Sequence, residues 1–159
     1  MHQVDIELHE IQEIDPHKII EHKLEEAIKH GQGPYIVDDS SLFLDCLGGK
    51  LPGPLIKWFE QAIGLEGIVN LAQKMGDTHA VWRNMLGYAN SLDEMKFFEG
   101  EVTGTLVFPR GTKIFGWDAI FIPDGFTQTF AEMTPEQKHT ISARGIAGRK
   151  LKEYLRGQT

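Results

Sequence analysis

Two β-rich stretches, 79–88 and 96–107, flank the polar segment Asn90-Ser91-Leu92-Asp93. Both are crowded with aromatic and β-branched side chains, which suit a pleated surface, and the short polar break predicts a long antiparallel pair. A sheet of that length must have its apolar faces roofed by helices. The rest of the chain supplies them. Asp15-Pro16 reads as an N-cap with proline in the first helical turn, and Ile19, Ile20, Leu24, Ala27 and Ile28 recur at helical spacing before Gly31. Pro52-Gly53-Pro54 opens a helix carrying Ile56, Lys57, Trp58 and Phe59 as far as Gly64, with a shorter helix over 66–75. Thr134-Pro135-Glu136-Gln137 is a capping box, and Ser142 is placed to cap a last helix bearing Ile146, Leu151 and Leu155.

Alternating apolar and acidic residues predict a strand over 4–8. A short buried strand follows over 34–37, ending in Asp38-Asp39-Ser40. A separate extended stretch covers 41–47, and 115–122 reads as a loop and then a strand. Helices and strands therefore alternate, which predicts a single α/β domain over 1–159 with a mixed, elongated sheet and flanking helices. Composition removes several classes of function. A net charge of −7 argues against general nucleic-acid binding, which calls for a basic surface. No apolar run reaches the length of a bilayer span, so no membrane association is expected, and the N-terminus lacks the pattern of a signal peptide. Cys46 is the only cysteine, which fits a reducing, cytoplasmic setting. The seven histidines have no partner at metal-ligand spacing, so a zinc site is not expected.

Several residues could carry chemistry. Asp38-Asp39 follows an apolar strand, where open α/β sheets bind ligands, and neighbouring carboxylates suit Mg²⁺ and the orientation of a water. A solvated turn with Ser40 also fits the dipeptide. Glu10 is a further acid, and Lys23 and Glu26 are spaced to share a helix face, as a surface ion pair would be. Lys57 lies near a helix N-terminus, which favours phosphate. Lys138 and Arg144 flank the junction of the last two helices, where an ammonium and a guanidinium could grip an anion or a keto group. Solvated helix faces account for these cations too. Phe115-Gly116-Trp117-Asp118 could form a slot for a purine, with rings to stack and a carboxylate to accept from ring N–H groups, or could be core packing beside a turn.

Order and spacing add what single motifs lack. Glu10-Ile11-Gln12, Lys23 with Glu26-Ala27, Val37-Asp38-Asp39-Ser40, the run from Leu47-Gly48-Gly49 through Leu51-Pro52-Gly53-Pro54-Leu55-Ile56-Lys57-Trp58-Phe59, Pro109-Arg110-Gly111, Phe115-Gly116-Trp117-Asp118, Thr129-Phe130-Ala131-Glu132-Met133, and Lys138 with Ile141-Ser142-Ala143-Arg144 together resemble the inosine/xanthosine triphosphate pyrophosphatase family. The resemblance runs in the family's order from Glu10 onward. It implies two lobes around a central nucleotide-binding cleft, a homodimer, and Mg²⁺-dependent cleavage of ITP, dITP and XTP to the monophosphate and pyrophosphate. It implies Asp39 as the catalytic carboxylate, with Glu10 and Asp38 as its metal-site neighbours. Lys23, Lys57 and Lys138 would bind phosphate, Phe115 and Trp117 would stack on the base, and Asp118, Ser142 and Arg144 would read the purine edge.

The sequence departs from the family pattern in three places. The family opens with a strand ending in Thr-Gly-Asn-x-x-Lys, which wraps the triphosphate, and no such motif occurs here. Ala143 stands where the family has histidine, and Ala119 where it has proline. Missing phosphate donors predict weak triphosphate binding and slow turnover. The competing expectation is a catalytically impaired paralogue that binds purine nucleotides.

Overall fold

The computed structural model describes residues 6–31, 33–112 and 115–158. In chain order its elements are α1 (Pro16–Lys29), β1 (Tyr35–Leu44), β2 (Pro52–Gly53), α2 (Ile56–Lys74), β3 (His79–Ala89), β4 (Met95–Leu106), β5 (Phe121–Pro123), α3 (Pro135–Ile141) and α4 (Ala143–Gly157). The capping signals act as read. The Asp15 side chain accepts from the His17 N–H, Thr134 and Gln137 form a reciprocal capping box, and the Ser142 hydroxyl accepts from the Gly145 N–H at 3.1 Å. Within α2, Gly64 takes φ 69° and ψ 174°, which breaks the helix where its glycine predicted a stop.

The strands form one sheet in the order β2-β1-β3-β4-β5. Every pairing among the described residues is antiparallel, so the α/β architecture is built without the parallel neighbours of a mixed sheet. The expected break after Val37 does not occur. Ser40 and Ser41 continue the ladder opposite Asn84 and Arg83, so the two expected stretches join into one ten-residue strand over 35–44, and Asp45–Leu47 turns into a short 3-10 helix instead of extending it. Asp38 and Asp39 therefore lie inside β1 and not beyond its end. The strand expected over 4–8 is not seen where it can be checked: residues 6–8 are outside the sheet, and 4–5 lie outside the described residues. Leu8 instead packs against the cluster beneath α1.

Strand alternation sorts the side chains between two faces. Val37 and Met85 meet Ile20, Leu24 and Ala27 of α1 on one face. Gly87 permits that contact, since a Cβ there would stand 2.4 Å from Ile20. Leu86 and Tyr88 meet Ala147 and Leu151 of α4 on the other. The largest cluster joins Leu42, Leu44 and Trp82 to Ile120, Phe121 and Phe130 and to Ile56, Ile68 and Val69 of α2. Pro109-Arg110-Gly111 locks onto the 129–133 segment: the Thr129 hydroxyl donates to the Arg110 carbonyl at 3.0 Å, and Arg110 pairs with Glu132.

Candidate active site

On the side away from β3, residues 35–41 of β1 have no strand partner among the described residues, because β2 pairs only with Leu42 and Phe43. This open edge borders a cleft of about 640 Å³, whose lining includes Glu10, Lys23, Asp38 and Lys57. A neighbouring cleft of about 840 Å³ shares Glu10 and adds Asp39, Pro54, Trp58 and Phe59. Residues from α1, β1, α2 and the segment ahead of α1 are thereby gathered at one strand edge.

Lys23 is the hub on the α1 face. It is buried, and its Nζ lies 3.2 Å from Asp39 Oδ1, 3.3 Å from Glu10 Oε1 and 3.3 Å from the Asp38 carbonyl. Its expected neighbour Glu26 turns to Lys29 instead, at 2.9 Å, so Lys23 is free to face β1. Asp39 also accepts from the Ser41 hydroxyl at 3.1 Å. Burial raises the Asp39 carboxyl above its ordinary range, and Lys23 opposes that rise. Lys57, exposed in the first turn of α2, completes the positive lining.

Asp38 does not join Glu10 and Asp39 as a third carboxylate. Successive strand residues point to opposite faces, so Asp38 projects toward α4. There Oδ1 accepts from Asn84 Nδ2 at 2.6 Å and Oδ2 accepts from an Arg144 guanidinium nitrogen at 2.8 Å. Among the described residues no group of three or more His, Cys, Asp and Glu side chains could hold a metal ion. Glu10 and Asp39 remain as a pair. Two carboxylates completed by substrate phosphate oxygens is the way proteins commonly hold Mg²⁺, so the donor set fits that ion.

Arg144 carries the network onward. Its guanidinium carbon lies 4.9 Å from the centre of the Phe115 ring. Phe115 contacts Trp117 and Trp82, with ring centres 5.5 and 6.4 Å apart. Lys138 belongs to this aromatic wall and not to the phosphate cleft: its Nζ donates to Asp118 Oδ2 and lies 5.4 Å from the Phe115 ring and 5.8 Å from the Trp82 ring. The physical reason is Asp118, a fully buried carboxylate that needs a cation. Burial raises the Asp118 carboxyl, opposed mainly by Lys138. Asp118 Oδ1 and Trp117 Nε1 are buried without a hydrogen-bond partner among the described residues. Ser142 is buried as the cap of α4, so its hydroxyl serves the helix. Ala143 and Ala119 are both packed in the interior.

Sequence reasoning missed two residues, Trp82 and Asn84. Trp82 forms the floor beneath Phe115, Trp117 and Phe130. Asn84 is fully buried and binds Asp38 and Ser40. A signal was present: along β3 the core-facing alternation Ala80, Trp82, Asn84, Leu86, Tyr88 contains one polar residue.

An antiparallel sheet roofed by helices on both faces, with a lysine–carboxylate cleft at a strand edge and a cation-lined aromatic wall joined to it, defines the class as an α/β domain. The model of the Ham1 family matches residues 1–154, and the chain belongs to that family. It is 43% identical over 138 residues to inosine triphosphate pyrophosphatase from Candida albicans, covering 86% of this chain and 68% of the relative. The Ham1 protein of Staphylococcus aureus has the same fold, with a TM-score of 0.84 at 27% identity, covering 98% of this chain and 83% of the other. A nucleoside-triphosphatase, or dITP/XTP pyrophosphatase, from Mycobacterium abscessus superposes with a TM-score of 0.75 at 27% identity, covering 93% and 82%.

Proposed function

We propose that the protein hydrolyses deaminated purine nucleoside triphosphates, ITP, dITP and XTP, to the monophosphate and pyrophosphate, removing them from the nucleotide pool. The observation that carries this reading is the Asp38–Asp39 step at the open edge of β1. One carboxylate faces Lys23 and Glu10, the other faces Arg144 and the aromatic wall, so a ligand at that edge has a charged pole and a ring-binding pole within reach. The family membership and the names of the relatives support the same reaction.

The residues suit the chemistry. A triphosphate carries close to four negative charges, which Lys23 and Lys57 would partly offset before a water approaches. Glu10 and Asp39 would hold Mg²⁺, which when bound would draw charge from the phosphate oxygens. Asp39, which accepts from Lys23 and Ser41, would orient the attacking water and accept its proton. At the other pole a 6-keto purine offers an acceptor at C6 and an N–H at N1, whereas adenine reverses both. Arg144 as donor beside the Asp118–Lys138 pair matches the former and mismatches the latter, and unmatched buried polar groups are costly. The family resemblance extends the reading to a homodimer, and the lone Cys46 suits a cytoplasmic setting.

The test is product analysis with ITP, XTP, dITP and ATP, each with Mg²⁺ and with EDTA. The expected result is Mg²⁺-dependent release of pyrophosphate with ATP the poorest substrate. Stepwise release of orthophosphate, or equal turnover in EDTA, would overturn the proposal.

A further inference from the structure

We propose that Asn84 is a specificity-positioning residue: from the floor of the sheet it orients Asp38, and Asp38 holds the Arg144 guanidinium at the ring-binding pole. This rests on the reading of Arg144 given above and adds a residue that no motif of the chain pointed to.

Asn84 is fully buried in the middle of β3, opposite Ser40 of β1 and Gly100 of β4. The first turn of α4 rests directly on this row. A Cβ at Gly100 would fall 1.9 Å from the Ala143 carbonyl oxygen, one residue from Arg144. The Asn84 amide nitrogen has three acceptors within reach: Asp38 Oδ1 at 2.6 Å, Ser40 Oγ at 2.8 Å and the Asp39 carbonyl at 3.1 Å. Because an ionised carboxylate only accepts, the amide must turn its NH₂ toward Asp38. That choice leaves Asn84 Oδ1 buried without a partner among the described residues. A core position filled for stability alone is better served by an apolar side chain than by a half-satisfied amide.

The two oxygens of Asp38 divide the work. Oδ1 is fixed from below by Asn84, and Oδ2 is presented to Arg144 at 2.8 Å. The Arg144 side chain is 47% exposed and the Asp38 side chain 35%. Both side chains are part-exposed; the Phe115 ring lies under the Arg144 guanidinium, and the bond from the buried Asn84 amide ties the Asp38 carboxylate to the rigid sheet. An arginine that must tell a keto oxygen from an amino group has to be held in place before the base arrives, or its ordering subtracts from the discrimination.

The experiment is a mutant cycle on base selectivity, read as the ITP/ATP ratio of kcat/KM and, without turnover, of Kd. Asn84→Ala and Asn84→Ser are expected to lower the ratio about tenfold, the worth of one charge-assisted hydrogen bond, by raising KM and Kd for ITP with kcat little changed. In an Arg144→Ala background the same substitutions are expected to leave the ratio where Arg144→Ala alone puts it. Asp38→Asn, at a part-exposed side chain, tests the same link should the Asn84 variants not fold, and is expected to lower the ratio to a similar degree. The proposal is overturned if Arg144→Ala collapses the ratio while the Asn84 and Asp38 variants keep it, or if the loss is equal in both backgrounds. An Arg144→Ala ratio equal to that of the parent would instead remove Arg144 from base reading and take this proposal with it.

Discussion

Replacing Asp39 by Asn removes one charge while keeping size and shape. The Asp39 side chain is 13% exposed, and burial raises its carboxyl above the usual range against the pull of Lys23. A raised folded-state pKa means that the ionised form destabilises the fold above that pKa, a cost removed as pH falls through it. The amide escapes this cost at neutral pH. That net upward shift already includes the attraction of Lys23, so the lost ion pair is not a separate cost. Lys23 keeps Glu10 and the Asp38 carbonyl, and Ser41 can still donate to the amide oxygen. Stability at neutral pH should therefore be unchanged or slightly higher, by no more than about 1 kcal/mol, a small step on the scale of point mutations. Catalysis should respond very differently. A carboxylamide neither binds a metal as a carboxylate does nor takes a proton from water, and kcat for ITP should fall at least about a hundredfold, some 2.7 kcal/mol at 1.36 per decade. Urea denaturation and pyrophosphate release measure the two halves. A variant that keeps kcat within a few-fold of the parent would refute the assignment. One that loses more than about 4 kcal/mol of stability would make Asp39 a structural residue.

Three further outcomes follow from the packing. Gly100→Ala should force the first turn of α4 off the sheet, since its Cβ would overlap the Ala143 carbonyl; a loss of about 1–3 kcal/mol in urea denaturation is expected, with a lower ITP/ATP ratio because Arg144 moves with the helix. Trp82→Ala should cost about 3–5 kcal/mol, since its fully buried ring touches Phe115, Trp117 and Phe130; an unchanged melting temperature would refute that packing. His79 Nδ1 donates to Asp45 Oδ2 at 2.7 Å, and Nε2 lies 3.7 Å from Asp124 Oδ2; burial lowers the His79 pKa, but the two aspartates outweigh it and the net shift is upward. Its contribution is therefore fully present below about pH 6.5, the ordinary histidine value, and lost as pH rises through the folded pKa. The melting-temperature gap between the parent and His79→Gln should be larger near pH 5.5 than near pH 9, and a gap independent of pH would refute the pairing.

What the sequence determined by itself was local. Asp15, Thr134 and Ser142 cap their helices because capping needs only a side chain and an N–H two or three residues away. The β3–β4 hairpin was legible because two residue-rich strands flank one short turn, and Gly64 broke α2 because a φ of 69° suits glycine. The components of the site were legible as motifs, but their partners were not. Asp38 and Asp39 are adjacent in sequence and look like one acidic pair. Only the ladder with β3, which carries β1 unbroken through both serines, sends them to opposite faces. The family resemblance made Lys138 a phosphate ligand, and its charge alone allowed an anion, a keto group or solvent, while the buried Asp118 that claims it, twenty residues away, is a fact of packing. Asn84 and Trp82 sat unnoticed in a β-rich run, since what each touches lies on other strands and helices. Hydrogen-bond partners far apart in the chain are chosen by which faces the sheet brings together and by the cost of burying a polar group alone, and both are properties of the tertiary structure.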